Sequence, residues 1–556
     1  MKTIYFLIFS LGLITNCFAQ QDTQIQSEIN TIENSLIKNI QIKDSIKEFN
    51  ILERMEFYKV PGVSIAVVEN GKIKWAKGYG YANTETGTKV NANTLFQAGS
   101  ISKPLSALAA LKLFENDSLD LNKNVNYYLK KWQIPENKFT KTKKITLEKL
   151  LTHTAGMTVH GFPGYKQTDD FPEIIDVLNG KGNTPKIVVD TIPGSIWRYS
   201  GGGYTVMEKV IEDVSGLSFD EYMSKNILLP IGMKNSTYQQ PITKVWQNNI
   251  SAAYDGNGKL IKGLWNNYPE QAAAGLWTTA SDLALYCIEI QDIIQGKKDG
   301  ILTKKTVDRM LTKHKNDWGL GPSLENEKDT LIFGHGGKNA GFTNDLKSYA
   351  YKGNAVVVMT NADNGGELIS EIKNAVSKFY NWSISQPKTI EVIELSSDDL
   401  KQYIGKYELK EQNPDVFTFY TIVLKPAVTK WLKENKPQPS EDLDSKEFLF
   451  KLSPNQSDTF SLKYRDLGEP AYIPPTTPAE TTANEPAAPA VPRGDYSIND
   501  PDGYTNLRAT PGGKIIRKVY ENETFDIIQP GEPYSKIKLT DGTVGYLHNS
   551  RIKSVN

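Results

Sequence analysis

The stretch FQAGSISKPLSALAALKL, from Phe96 to Leu113, sets the reading of this chain. From about Ser100 it is an apolar helix. Pro104 suits that helix because it falls in the first turn, where backbone donors have no partner. Within it lies an S-x-x-K spacing, Ser100 to Lys103, which places the two side chains one turn apart on one face. A serine hydroxyl is a poor nucleophile until a base takes its proton. A lysine packed against a buried helix loses affinity for its own proton and can be that base. The spacing alone is weak. It recurs from Ser35, Ser370, Ser385, Ser535 and Ser550, and the bland alternative is a serine cap beside a solvated lysine. Context sets the first case apart: Ser100 follows Ala98-Gly99 and opens an apolar helix, whose N-terminus carries partial positive charge.

Upstream, GVSIAVVENGKIKWAKGYGYAN runs from Gly62. Its two β-rich halves flank Asn70-Gly71, a strong hairpin signal. Residues 20–58 are polar and amphipathic and read as a lead-in helix. Downstream, NAVVVMTNAD from Asn354 reads as a strand, and ELISEIKNAVSKFY follows with helical period. Strands at both ends with helices between predict one α+β domain in which early and late strands share a sheet.

The whole chain has 556 residues, 39% apolar and 23% charged, a globular composition. Sixty-four basic residues balance 64 acidic ones, so no chain-wide basic field for nucleic acid exists. Two cysteines, Cys17 and Cys287, exclude a disulfide scaffold and a thiolate zinc cluster. The start, MKTIYFLIFSLGLITNCFAQQ, has the form of a secretory signal over residues 1–19, cleaved after Ala19. Its apolar run is about half of what a membrane span needs. Lipidation at Cys17 is the minor alternative, since Asn16 before it is larger than such sites usually carry. The expected protein is periplasmic or secreted, without a transmembrane segment.

Residues 395–466 read as a small β module, and 470–493, rich in Pro, Ala and Thr, as an extended linker. Residues 494–556 are strand-length runs split by turn signals, a small all-β barrel. The chain lacks G-x-S-x-G, G-x-x-x-x-G-K-[ST] and H-E-x-x-H motifs. His153, His160, His314, His335 and His548 show no metal-ligand spacing, and no cofactor is implied.

Three further segments change the weight of Ser100: LLTHTAGM (Leu150–Met157), WRYSGGGYTVMEKVIEDVSG (Trp197–Gly216) and FGHGGKNAGF (Phe333–Phe342). With FQAGSISKPLSALAALKL and AAAGLWTTASDLA they occur in the order of a known family. Over residues 45–385 the chain resembles serine hydrolases related to class C β-lactamases and DD-carboxypeptidases, a family that includes esterases and D-aminopeptidases. The resemblance implies a β-lactamase/penicillin-binding-protein-like α+β fold, an antiparallel sheet with a helical region, followed here by small all-β modules.

It also implies roles. Ser100 would be the acylated nucleophile, with Lys103 and Tyr199 sharing proton transfer; which of the two is the base stays open. A tyrosine beside an ammonium is expected to be lowered enough to act as base. His335-Gly336-Gly337 would stand for the usual Lys-Thr-Gly, with His335, Gly337 and Lys338 on the substrate. The Lys338 and Ser100 backbone N–H groups would form an oxyanion hole, each worth about 3 kcal/mol to the transition state. One departure matters. The second motif commonly ends in Asn, where this chain has Gly201. Gly cannot bond a substrate amide, so the site should discriminate less for β-lactams and peptides.

His153 is read as holding local structure. Trp75, Trp197 and Trp277 are read as core or pocket wall, and Cys287 as core. GYTNLRATPGGKIIRKV and GTVGYLHNSRIK resemble bacterial SH3-type modules, which implies a cell-wall peptide or protein partner. QYIGKYEL resembles the small β domain that often follows this hydrolase domain. The leading expectation is an exported serine hydrolase forming an acyl-enzyme on D-amino-acid peptides, esters or β-lactam-like substrates. The alternative is a non-catalytic protein that holds cell-wall peptides and is targeted by its SH3-like module.

Overall fold

In the computed structural model, residues 23–43 and 46–390, strands within 445–465 and parts of 496–554 are described. The expected leader 1–19 and linker 470–493 lie outside the described residues, as does most of 395–466. The chain divides into two compact units, Met1–Glu394 and Leu395–Asn556.

The first unit is built on a seven-stranded antiparallel sheet. Its strands are β1 (Gly62–Glu69), β2 (Lys72–Asn83), β3 (Thr88–Lys89), β4 (Ser323–Glu325), β5 (Ile332–Asn339), β6 (Phe342–Tyr349) and β7 (Ala355–Thr360). Their order is β3-β2-β1-β7-β6-β5-β4. The predicted hairpin joins β1 to β2. Asn70 and Gly71 have φ of 55° and 73°, the double positive φ that a two-residue hairpin turn of this hand requires. The early strand β1 lies beside the late strand β7, Ile65 opposite Val358, as the α+β reading requires.

Both faces of the sheet are covered, which is why β1 and β7 read as unbroken apolar runs and not as alternations. Ala66, Val68, Val357 and Met359 enter one core, while Val63, Ile65, Val67, Val356 and Val358 enter the other. On the first side pack the helices α2 (Ser102–Glu115), α3 (Gly201–Ser215) and α4 (Ala280–Ile294). On the second pack α1 (Ile51–Tyr58) and α5 (Gly366–Phe379). Leu368, Ile369, Ile372, Ala375 and Val376 give α5 its buried stripe, at the 3.6 period its sequence shows. A buried Arg54–Glu371 pair, 2.7 Å, ties α1 to α5. By contrast α2 is buried nearly all round, from Ser102 to Leu111, in keeping with its apolar sequence.

The lead-in is not one helix. Residues 23–33 and Ile51–Tyr58 are separate helices. Between them the strand Ile40–Ile42 pairs with Lys388–Ile390, and Asn50 starts the second helix by accepting the Leu52 N–H at 2.8 Å. Trp75, Trp277 and Cys287 are core, as read, and burial pushes the Cys287 thiol up to about 12.

In the second unit, strands Ser445–Lys451 and Thr459–Arg465 pair antiparallel. Seven further short strands between Tyr496 and Ser554 form an antiparallel sheet. It encloses Ile498, Leu507, Val519, Phe525, Ile537, Leu539 and Leu547. That unit is all-β where described. No helix among the described residues is long and apolar enough to cross a membrane.

Candidate active site

Ser100 sits one step earlier than its sequence suggests. It lies in a 3₁₀ turn, Gly99–Ile101, and the α-helix begins at Ser102. The turn still aims Ser100 and Lys103 at each other. Lys103 Nζ donates to Ser100 Oγ at 2.9 Å and to the Ala273 carbonyl at 2.8 Å. The ammonium has no carboxylate partner among the described residues, and the residue is 2% exposed. Burial therefore lowers the Lys103 amine to about 7, so near neutral pH much of it is a free base with its lone pair available.

Tyr199 comes from the turn before α3. Ser200 caps that helix, accepting the Gly203 N–H at 2.9 Å. Lys103 Nζ stands 4.9 Å from the Tyr199 ring centre. The phenol does not follow the expectation of a lowered pKa. Burial raises it, opposed only in part by the neighbouring Ser100 hydroxyl, and the Tyr199 hydroxyl has no well-formed hydrogen bond. The partly discharged Lys103 is too weak a cation to reverse that. In the free protein the amine, not the phenol, is the more available base.

Strand β5 brings the third segment against the turn, backbone to backbone. A Cβ on Gly99 would lie 2.6 Å from the Lys338 nitrogen, and one on Gly337 would lie 1.9 Å from the Ala98 carbonyl oxygen. These two glycines let the Lys338 backbone nitrogen approach the Ala98–Gly99 backbone beside Ser100. Gly336 is different: the nearest atom to a Cβ there is 3.7 Å away. Gly337→Ala should therefore push β5 off the turn and, on the acyl-transfer reading proposed below, cut turnover by roughly 10² or more, the worth of one misplaced oxyanion donor. Gly336→Ala should stay within about threefold, because a methyl there stands in the open cavity at ordinary contact distance from its nearest neighbour. Steady-state kinetics on both variants checks this. Equal behaviour of the two would refute it.

His335 is buried, and burial together with the Lys103 charge lowers it to about 3. It is a neutral imidazole at any ordinary pH and cannot supply the positive charge of a Lys-Thr-Gly lysine. The Lys338 side chain, exposed and without an ion pair among the described residues, is the cation nearest that role.

Ser100, Tyr199, His335, Gly336, Gly337 and Lys338 line one cavity of about 710 Å³, and Lys103 lies beneath Ser100. The cavity also takes His160, Trp197, Arg198, Thr343 and Asn344. Sequence reading gave Trp197 as a possible wall but missed the others. His160, Thr343 and Asn344 carry no motif of their own; the fold brings them in. Arg198 adjoins Tyr199, and pairs with Asp190. No carboxylate among the described residues lines the cavity. At Gly201 the place of the usual Asn side chain is taken: a Cβ there would lie 2.8 Å from Phe162 Cε2 and 3.1 Å from the His160 carbonyl oxygen. The arrangement has the parts for acyl transfer: a hydroxyl, an adjacent low-pKa amine, a second hydroxyl and a close-packed backbone donor strand.

The family model described as Beta-lactamase matches residues 50–376. A teichoic acid D-alanine hydrolase of Staphylococcus aureus strain MRSA252 is 26% identical over 314 residues, 52% of this chain and 73% of that protein. The protein of the same description from strain COL is 29% identical over 232 residues, 41% of this chain and 54% of that one. This chain thus spans about half of the latter's length. Among solved structures, the octameric penicillin-binding protein homologue from Pyrococcus abyssi is similar in fold. It has a TM-score of 0.52 and 21% identity, over 88% of this chain and 96% of the other.

Proposed function

Because the chain belongs to the beta-lactamase family, matched over more than half its length, we propose that it is a serine acyl hydrolase acting on D-alanyl or similar small acyl esters. One observation carries this reading: the Lys103 amine, lowered to about 7, stands 2.9 Å from the Ser100 hydroxyl. Neutral Lys103 takes the Ser100 proton as Oγ attacks the ester carbonyl. The resulting oxyanion rests on the Ser100 and Lys338 N–H groups. As the intermediate collapses, the ester C–O bond breaks. The Lys103 proton passes through the Tyr199 hydroxyl to the leaving alkoxide, which departs as an alcohol. Water, deprotonated by the same amine, then releases the acid and restores Ser100.

Three features favour esters over amide-flanked β-lactams. Gly201 offers no amide-bonding side chain, Phe162 fills its place, and the similar staphylococcal proteins are described as teichoic acid D-alanine hydrolases. The exposed Lys338 beside the cavity, without an ion pair among the described residues, suits an acceptor polymer of negative charge. Export by residues 1–19, and docking on the cell wall through an SH3-like module at 494–556, fit such a substrate.

Intact-mass spectrometry tests the reading. Brief exposure to an activated D-alanyl ester should leave one acyl group, mapped by fragmentation to the peptide holding Ser100. Benzylpenicillin at the same concentration should label more slowly. An ester adduct elsewhere, or none with turnover persisting, would sink the proposal. An adduct at Ser100 also removes the reading as a non-catalytic peptide-binding protein.

A further inference from the structure

We propose that His153 is a positioning residue for Tyr199, gripping the chain on both sides of it and backing its ring so that the phenol stays over Lys103. This rests on the acyl-transfer reading above. His153 belongs to the LLTHTAGM segment, whose role the reaction leaves unassigned. Its backbone is left-handed, φ 57°, a conformation rare for a residue with a side chain. Two contacts follow from that pose. The His153 carbonyl accepts the Arg198 N–H at 2.9 Å. Its Nδ1 accepts the Ser200 N–H at 3.1 Å. Arg198 and Ser200 are the two neighbours of Tyr199, so one residue clamps the backbone before and after the phenol. The third contact is with Tyr199 itself: the rings lie 4.3 Å apart at 31°.

The clamp also fixes the protonation state of the imidazole. A nitrogen that accepts a hydrogen bond carries no proton, so the neutral ring bears its proton on Nε2. That atom is buried and has no hydrogen-bond partner among the described residues. Around the ring stand Trp197, Tyr204 and Trp318, with centroids 6.1, 5.2 and 5.1 Å away. A second proton is opposed by this apolar shell and by the titratable groups that face it, Lys103, His335 and His160. His153 therefore acts as a fixed neutral plate. A side chain needed only to fill space would not require an acceptor aimed at the residue after Tyr199.

The leaving group separates positioning from bulk stability. Tyr199 is needed to protonate an alkoxide but hardly to release p-nitrophenolate. His153→Ala should lower kcat for D-alanine methyl ester by about tenfold or more, a part of the roughly 10²- to 10⁴-fold that general-acid catalysis supplies. It should lower kcat for p-nitrophenyl acetate by less than about threefold, with both KM values nearly unchanged. His153→Asn suits a left-handed backbone and keeps an acceptor for Ser200, so it should recover part of the loss. In a Tyr199→Phe background, His153→Ala should add less than about twofold, since the two residues act as one unit. Rates are referred to active sites counted by the p-nitrophenol burst, so a poorly folding variant does not confuse the comparison. Equal losses on both esters, or an undiminished loss in the Tyr199→Phe background, would overturn the proposal. The parent reading fails separately, through an active Ser100→Ala.

Discussion

Ser100→Ala should lose ester turnover by at least roughly 10⁴-fold, as removal of a nucleophile does in serine hydrolases whose other parts remain. The variant should also form no acyl adduct. The large effect follows from geometry. Among the described residues, Ser100 holds the only hydroxyl within hydrogen-bond reach of Lys103 Nζ, and the amine's other bond is to the Ala273 carbonyl. Alanine fits the site without strain, because Ser100 lies in a 3₁₀ turn and its Oγ caps no helix. The fold should therefore survive, and a thermal midpoint within a few degrees of the parent would show it. What should remain is binding: the cavity, Lys338 and Arg198 are untouched. Ester hydrolysis within tenfold of the parent, with the fold intact, would remove Ser100 from the reaction.

Much of this site was legible in the sequence because its parts are local. Ser100 and Lys103 are one turn apart, and nothing beyond that turn is needed to bring them together. The Asn70-Gly71 hairpin is equally local, since two residues of positive φ fix it. Tyr199 and His335 were found through the order of motifs, which stands in for distance along a fold. What sequence did not show is what only packing creates. Phe162 occupies the space beside Gly201 because the loop from Thr158 folds onto the start of α3, where the Val159 and His160 carbonyls accept the Gly202 and Gly201 N–H groups at 3.0 Å. No spacing announces that. The charge states of His335 and Tyr199 were hidden for the same reason, whereas a lowered Lys103 was expected from its apolar helix. Burial lowers Lys103 and His335 and raises Tyr199, and burial is a property of the assembled core. The lead-in was misjudged because its amphipathic pattern continues across the short strand Ile40–Ile42, whose partner lies near residue 390.

Lys103→Met should lower kcat/KM by roughly 10²- to 10⁴-fold, the worth of a positioned base, and change both pH profiles of the protein. In the parent, only the neutral amine can accept the Ser100 proton. With the Lys103 amine at about 7, kcat/KM should rise tenfold per pH unit below that point and level off above it. Methionine has no proton to lose, so the residual rate of the variant should not bend near pH 7. The substitution should change stability in the opposite sense to activity. The folded state lowers this group from the ordinary 10.5 to about 7. Between those values the unfolded chain holds a proton that the folded chain has released, so parent stability rises with pH across that window. Below about pH 7 both states are protonated, and the folded state carries the full cost of a buried ammonium. Methionine, of similar length and apolar, avoids that cost. Lys103→Met should therefore melt higher than the parent at pH 6, with the gap narrowing toward pH 10. A base kept ready by burial is a lysine that the fold would be more stable without. A variant both less active and less stable at pH 6 would show that the Lys103 bonds to Ser100 and Ala273 outweigh its desolvation. The amine would then be charged in the free protein, and Tyr199 would be left as the candidate base.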